Sequence, residues 1–354
     1  MGSYGNIELM FNTLVGKFGG FAGGSSGGLT FSYAPAQTGL TGLTVQKNDS
    51  NYWLIGGSHP GGDSPSTAPN SGFYVFTTVS DFTGRISMWG GGGSAFRVAT
   101  VGGGGAYVQT THTFSADNTY KAYVGSADEG TFIFIKGAPS PSTAFNPVDK
   151  LVVVAGGGGE AGNYDAHSGP SPGGPGGAGG YPSGAAGTGG NAGQPGPYSS
   201  GGAGGGGGTQ SAVGAGGTAG GTNADGLPGA FIYQAAGGSG GSHGRGGGGY
   251  YGGGGGEGPS YGGPNPGSGS GGGGGGGSSH ANSAVTSSTI HSSGSANTAG
   301  GSPTRPNPSP YWGLQGGYGI GKRLSYTGGP TSPQYNSWAV TGGAKSAIFI
   351  DDVS

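Results

Sequence analysis

Apolar residues in this chain occur as short runs between glycine, proline, serine and asparagine. Some runs alternate apolar and polar positions, as in AYVQTTHT at 106–113, which is typical of an antiparallel strand with one face in water. Others are continuously apolar, as in LVVVA at 151–155, and predict strands that are fully buried. Glycine and proline oppose α-helix throughout the chain. The pattern therefore predicts an all-β protein with almost no α-helix.

The apolar runs divide the chain into three zones. Residues 1–68 hold short β-like runs between turns, which we interpret as a small N-terminal β module for attachment or assembly. Residues 69–155 hold the clearest strands, and the apolar run SAIFID at 346–351 needs a sheet to pair with. The sheet before residue 155 is the one available to it. We therefore predict that 69–155 and 321–354 form a single β-sandwich, interrupted by an insertion at 156–320.

Glycine dominates that insertion and changes the interpretation of it. The chain has 98 glycines among 354 residues, against about 7% in an average protein. In GAAGTGGNAGQPG at 184–196 a glycine returns at every third position, and three residues is the repeat of a polyproline-II helix. A disordered linker is the alternative for such a composition. We predict instead a polyglycine-II bundle, in which short helices of one chain hydrogen-bond side to side and loops connect them.

Ordering so much glycine sets a condition on the bundle. Each glycine costs about 0.5–1 kcal/mol more to order than alanine, while a backbone hydrogen bond returns a net 0.5–1.5 kcal/mol or so. Almost every N–H and C=O must therefore be paired. The strand that ends in KLVVVAGGGG at 150–159 loses its side chains where it leaves the sheet, which indicates that other backbones close in on it there.

Charge and cysteine content exclude several classes of function. The chain has 12 Lys and Arg against 14 Asp and Glu, so no excess of positive charge draws it to nucleic acid or anionic lipid. No apolar run approaches the roughly 20 residues of a membrane span, and the N-terminus lacks the pattern of a cleaved secretory signal. Cysteine is absent, which removes disulfides and thiolate metal sites. We expect synthesis in the cytoplasm, no membrane insertion and no nucleic-acid partner.

Motifs for catalysis or metal binding are weak. GGYGIGKR at 316–323 nearly matches a phosphate-binding loop, but Arg323 stands where Ser or Thr would ligate magnesium. The six histidines show no ligand spacing, and neither paired carboxylates nor a nucleophile with its base stands out. We therefore expect no enzymatic activity, no cofactor and no metal site.

Tyrosines interrupt the glycine zone at intervals. They are Tyr181, Tyr198, Tyr250, Tyr251, Tyr261 and Tyr311. Tyrosine is amphipathic and loses little conformational entropy when it is fixed. These side chains either seal the sides of the bundle or form a contact surface, and both interpretations stay open at this point.

The junctions between strands and glycine runs resemble those of a known family. MWGGGG at 88–93, GGGGAYVQ at 102–109 and LVVVAGGGG at 151–159 follow one another, an order similar to the glycine-rich domain of many phage tail and virion proteins. A related domain occurs in the extracellular region of anaplastic lymphoma kinase, and polyglycine-II bundles form the tip of T-even-type tail-fibre adhesins. The resemblance covers about 73–350.

The resemblance implies a virion protein that is not an enzyme. The expected function is that of a tail-fibre or tail-tip adhesin that binds a host surface receptor, either protein or glycan. The alternative is a purely structural subunit of a virion or an extracellular surface fibre. Other virion proteins would be bound through the N-terminal module, and a homo-oligomer is expected.

The resemblance also implies where a receptor would be contacted. In the tip adhesins, loops between glycine helices make that contact, and the matching segments here are 160–168, 280–298 and 303–312. The candidate receptor-binding residues are Tyr164, His167, His280, His291, Arg305, Tyr311 and Trp312.

Overall fold

The fold is taken from a computed structural model of the chain. The residues described are 29–35, 44–48, 51–55, 72–94, 101–125, 127–137, 150–162, 174–184, 202–218, 229, 244–257, 271–294, 323–326, 338–341 and 346–353. Within these ranges the regular secondary structure is all β-strand and contains no helix. The all-β prediction is confirmed.

The described ranges contain fourteen strands. They are β1 (Leu29–Pro35), β2 (Thr44–Asn48), β3 (Asn51–Ile55), β4 (Gly72–Thr78), β5 (Phe82–Trp89), β6 (Tyr107–Phe114), β7 (Tyr120–Val124), β8 (Thr131–Ile135), β9 (Lys150–Ala155), β10 (His280–Ala281), β11 (Thr286–Ser292), β12 (Arg323–Tyr326), β13 (Trp338–Thr341) and β14 (Ala347–Asp352).

Twelve of these strands form two antiparallel sheets of six. The first sheet has the order β1-β4-β7-β8-β9-β10, and the second has the order β11-β6-β5-β14-β3-β2. β14 lies inside the second sheet, where Ile350 pairs with Ile86 of β5 on one side and with Tyr52 of β3 on the other. β12 and β13 form a separate antiparallel pair.

Strands from residues 1–68 belong to these same sheets. β1 pairs with β4 along its whole length, from Leu29 opposite Thr78 to Pro35 opposite Gly72. β3 pairs with β14, and β2 pairs with β3 at the edge of the second sheet. The N-terminal strands therefore extend both sheets of the sandwich.

The hydrophobic core lies between the two sheets, where buried side chains of both sheets meet. In β5 the core side is supplied by Phe82, Ile86 and Met88, while Arg85 is exposed. The remaining core residues come from both sheets: Phe76, Val108, Phe114, Tyr120, Ala122, Val124, Ile133, Val152, Val153, Ala155, Ile348 and Ile350. The two sheets thus share one core, as in a β-sandwich.

A second, smaller cluster covers the opposite face of the first sheet. Tyr123, Phe132, Phe134 and Val154 are buried there, and Tyr250 from the glycine zone packs against them. The outer face of this sheet is therefore one place where a glycine segment packs on the sandwich.

The segment 280–298, which the sequence suggests is a loop, contains two strands. β10 pairs with β9 at the edge of the first sheet, and β11 pairs with β6 at the edge of the second. The turn between them crosses from one sheet to the other, and its Val285 packs against the core. β11 is not evident from the sequence because its serines and threonines are typical of a loop, although Thr has a high β-propensity.

Candidate functional site

The glycine segments hydrogen-bond to one another at intervals of three residues. The N–H groups of Gly174, Gly177 and Gly180 donate to the carbonyls of Gly271, Gly274 and Gly277 at 3.0, 2.8 and 3.1 Å. On another side, Gly274 donates to the carbonyl of Glu160 and Gly277 to that of Gly157, both at 2.9 Å. The three-residue interval thus returns successive bonds of one segment to the same neighbour, while a different neighbour is bonded on another side.

The seven consecutive glycines at 271–277 form the centre of this assembly. Backbone hydrogen bonds join residues 271–278 to five other segments, which are 156–162, 174–180, 202–208, 244–250 and 251–257. All seven glycines are buried. We call this stretch the heptaglycine segment.

At six of its positions, 272–277, the heptaglycine segment has no room for a side chain. A Cβ at Gly272 or Gly275 would overlap a carbonyl oxygen of 202–208. At Gly273 or Gly276 it would overlap one of 174–180, and at Gly274 one of 244–250. The run of glycine is therefore explained by backbone contact on every face, the reason that the sequence suggested for KLVVVAGGGG.

One partly buried ion cluster ties the bundle to a turn of the sandwich. Arg245 Nε lies 3.2 Å from Glu160 Oε2 and 3.6 Å from Asp128 Oδ2. Asp128 belongs to the turn between β7 and β8. Both carboxylates are 4% exposed, whereas half of the Arg245 side chain is in solvent. The Asp128 carbonyl also accepts the N–H of Gly248 at 2.7 Å. The cluster thus fixes the segment 244–250 on the sandwich.

Burial and the arginine act on Glu160 in opposite directions. Desolvation raises the pKa of Glu160, and the charge and hydrogen bonds of Arg245 lower it by less. Asp128, and then Glu160, raise the pKa of Arg245. The arginine therefore stays charged and compensates two buried carboxylates.

Aromatic and polar side chains gather where the glycine segments meet β10 and β11. Tyr181 stacks on His291 with ring centroids 3.8 Å apart, and Tyr250 stacks on His280 at 4.1 Å. Tyr251 meets Tyr250 edge to face at 5.2 Å. Gln210 completes the group, which we call the junction cluster: Tyr181, Gln210, Tyr250, Tyr251, His280 and His291.

Gln210 holds the junction cluster together through its amide. Its Nε2 donates to the carbonyls of Pro182 at 3.1 Å and Ser279 at 2.7 Å, so its Oε1 faces His280 Nδ1 at 2.8 Å. An amide oxygen only accepts. His280 Nδ1 therefore carries the proton, and Nε2 of its neutral ring is an acceptor.

The described histidines are held in their neutral form. Burial lowers the pKa of His280. The pKa of His291 is lowered to about 4, mainly by burial and secondly by repulsion from His280 when that ring is protonated. Burial also lowers the pKa of His112, whose Nδ1 donates to the Val285 carbonyl at 2.7 Å. Nδ1 of His291 is buried and has no hydrogen-bond partner in the described part of the chain.

The structure brings two of the seven candidate receptor-binding residues together. His280 in β10 and His291 in β11 are both half-buried members of the junction cluster. The other candidates, Tyr164, His167, Arg305, Tyr311 and Trp312, lie outside the described residues.

Of the six tyrosines of the glycine zone, Tyr181, Tyr250 and Tyr251 are described, and Tyr198, Tyr261 and Tyr311 lie outside the described residues. Tyr250 seals, because it packs on the outer face of the first sheet. Tyr181 is 45% exposed, beyond its contact with His291. Sequence reasoning missed Gln210, and a single glutamine in a glycine run gives no signal of its own.

Comparison with known proteins adds no relative. The chain matches no protein-family model, no curated protein and no solved structure. Among the described residues, no three His, Asp or Glu side chains are grouped so that they could hold a metal ion. The same residues include no helix with the length and apolar character needed to cross a membrane.

Proposed function

We propose that this chain is a non-enzymatic phage virion protein, a tail-fibre or tail-tip adhesin that binds a receptor on the host surface. The observation that carries the proposal is a bundle of hydrogen-bonded glycine segments, rooted in a β-sandwich, with half-exposed aromatic rings at its base. Such a bundle offers few side chains to proteases and little charge to solvent. It would hold a contact surface rigidly, which lowers the entropic cost of binding.

We infer further that the glycine segments are polyglycine-II helices. The three-residue interval of their hydrogen bonds supports this, since that helix has three residues per turn. An experimental structure would test it through the backbone dihedral angles. We expect φ of about −75° and ψ of about +145° over the heptaglycine segment.

The proposal includes a location and partners. The chain is part of the virion, joins other virion proteins through residues 1–68, and forms a homo-oligomer. Antibodies raised against the purified protein should label intact phage particles in immunogold electron microscopy. A virion location would be refuted if intact particles stay unlabelled and the same antibodies also detect no band on a blot of denatured particles.

Adsorption competition separates the adhesin from a purely structural subunit. Excess purified protein should occupy the receptor and slow the adsorption of the phage to its host cells. A structural subunit would label on the particle but leave adsorption unchanged. The absence of enzymatic activity is tested separately, by incubating host polysaccharide with the protein and measuring its length by size-exclusion chromatography, where no shortening is expected.

A further inference from the structure

The exposed ring of Tyr181 is held in one orientation by several contacts. Its ring lies on the imidazole of His291, with 5° between the planes. Its N–H donates to Ser293 Oγ at 3.3 Å, and the next residue, Pro182, accepts a hydrogen bond from Gln210. Tyr181 as a residue is nevertheless 45% exposed. Tyr181 is therefore a fixed, flat and accessible apolar surface.

Polar groups next to this ring are also fixed. Gln210 connects Pro182 to Ser279, so the Tyr181 backbone and His280 are held on one support. His280 stacks on Tyr250, and its Nε2 is the acceptor derived above. A ligand on Tyr181 thus meets a pre-organised amphipathic surface and not a flexible one.

The junction cluster carries no formal charge. It contains no Lys, Arg, Asp or Glu, and its two histidines are neutral near pH 7 because burial disfavours their charged forms. An anionic or cationic ligand would find no counter-charge among these six side chains. A neutral ligand with one apolar face and several hydroxyl groups fits them better.

A protein partner fits less well than a small ring. Stable protein interfaces bury about 800 Å² on each side around an apolar centre. In the described part of the chain the exposed large hydrophobic residues are Val79, Tyr181, Ile290 and Val353. Of these, Tyr181 belongs to the junction cluster and Ile290 precedes His291 in β11, so the described residues there offer two exposed large apolar side chains, fewer than the apolar centre of such an interface needs.

We propose that the junction cluster binds a neutral hexopyranose unit of a host surface polysaccharide. The C–H face of the sugar packs on the exposed part of the Tyr181 ring, and its hydroxyl groups hydrogen-bond to the polar edge of the cluster, with His280 Nε2 as an acceptor. This inference rests on the proposed function and names the chemical class of the receptor. It also places the contact at the base of the bundle, on residues that close the junction with β10 and β11.

A glycan array with defined variants tests the inference. The array carries neutral hexose oligomers, such as maltohexaose and mannan, together with uronic-acid and sialylated glycans as charged comparisons. The full chain should bind one or more neutral hexose glycans. Binding to charged glycans alone, or to no glycan on the array, would overturn the proposal.

Substitutions at Tyr181 place the binding on the ring. For the best neutral glycan, Tyr181→Ala should weaken binding at least tenfold in titration calorimetry, while Tyr181→Phe keeps the ring and should stay within about threefold. Val79→Ala truncates an exposed apolar residue of a strand connection and should bind like the parent. Each variant is checked by its melting temperature, and saturation-transfer NMR of the parent should show sugar C–H protons in contact with the protein. If Tyr181→Ala binds as well as Tyr181→Phe, the cluster is not the site.

Treatment of host cells separates a glycan from a protein receptor. Periodate cleaves the vicinal diols of sugars, so it should abolish binding of the labelled protein to cells, whereas protease treatment should leave binding intact. The reverse result would overturn a glycan ligand and leave the adhesin function standing. Failure of virion labelling, by contrast, would remove the adhesin function and leave binding on the array untouched.

Discussion

The ring of Tyr181 lies flat against the imidazole of His291, with the centroids 3.8 Å apart. The two residues are far apart in sequence, and the contact joins a glycine segment to the edge strand β11. A similar contact between Tyr250 and His280 joins another glycine segment to β10. The bundle is therefore attached to both sheets through neutral histidines, and protonation of these rings acts directly on the attachment.

Acid should weaken the protein through His291. Its pKa is lowered from 6.5 to about 4 in the folded state, so the unfolded chain binds the proton more tightly between these values. The stability contribution of the neutral ring is fully present above about pH 6.5 and is lost as the pH falls toward about 4. His112 and His280 act with the same sign. Thermal melting of the parent should show a falling melting temperature across this window.

The variant His291→Gln isolates that contribution. Glutamine does not titrate, so the decline in melting temperature between pH 7 and pH 4.5 should be smaller in the variant than in the parent. It should not vanish, because His112 and His280 still titrate. Superimposable pH profiles for the two proteins would show that His291 is not held neutral by the fold.

Arg245→Ala should destabilise the protein most at neutral and alkaline pH. The substitution leaves the carboxylates of Glu160 and Asp128 buried without their cation. Breaking a fully buried pair costs about 3–5 kcal/mol, and the cost here is smaller because half of the Arg245 side chain is exposed. Denaturant unfolding at pH 8 should show a loss of about 1–3 kcal/mol.

The pH dependence of that variant has a defined sign. Burial raises the pKa of Glu160 above 4.5, and removal of the arginine raises it further. A raised pKa means that the protonated carboxyl is favoured in the fold, so this contribution is present below about pH 4.5 and is lost as the pH rises through the folded-state value. Arg245→Ala should therefore lose less stability at pH 5 than at pH 8. In the double variant Glu160→Gln, Arg245→Ala this difference should shrink.

Gln210 should matter more than its exposure suggests. Its amide donates to the carbonyls of Pro182 and Ser279 and accepts from His280. A net hydrogen bond contributes about 0.5–1.5 kcal/mol, so Gln210→Ala should cost about 1–3 kcal/mol in denaturant unfolding. The neighbouring Ser211 is exposed, and Ser211→Ala should change stability by less than about 0.5 kcal/mol. Equal effects would show that the amide does not hold the junction cluster.

The all-β class could be predicted from the sequence, whereas the edge strand β11 could not. The all-β class was predictable because a continuous apolar run such as LVVVA at 151–155 is typical of a buried strand. The glycine period of 184–196 lies outside the described residues from 185 onward, but a three-residue interval occurs in the hydrogen bonds of Gly174, Gly177 and Gly180 to the heptaglycine segment. β11 was missed because TSSTIHS at 286–292 has the composition of a loop. Its register is set by pairing with β6, a tertiary contact that no local pattern reveals.

The junction cluster was only partly predictable for the same reason. The resemblance points to His280 and His291 as members of one segment, but no sequence pattern indicates that each stacks on a tyrosine. Those tyrosines come from separate glycine segments, and their positions follow from which segments are neighbours. Neighbour relations among nearly identical glycine runs are not encoded in any single run.

The strand β14 should be essential to the sandwich. It lies between β3 and β5, and its Ile350 is fully buried in the core between the sheets. Ile350→Ala should lower the free energy of unfolding by about 2–5 kcal/mol, including the effect of the cavity that it leaves. Val353, just beyond the strand, is 44% exposed, and Val353→Ala should cost less than about 0.5 kcal/mol. Chemical denaturation of the two variants would compare them, and a similar loss in both would contradict the position of β14.

The segment 212–218 gives the sharpest test of how glycine stabilises the bundle. Exposed positions recur three apart at Ala212, Ala215 and Thr218, and all three carry side chains. The buried positions Gly214 and Gly217 are also three apart and carry none. The same period therefore separates the outer face of this segment from its inner face.

Valine at Gly217 and valine at Ala215 should consequently have very different effects. A Cβ at Gly217 would overlap the carbonyl oxygen of Ala203, and the Gly217 N–H donates to the Gly255 carbonyl at 2.9 Å. Forcing the backbones apart would leave buried N–H and C=O groups unpaired, at about 1–3 kcal/mol for each group. Ala215 already carries an exposed side chain, so Ala215→Val should stay within about 0.5 kcal/mol of the parent. Melting temperature and survival under protease would measure both variants, and equal behaviour would mean that the segment is held by something other than backbone contact on its glycine face.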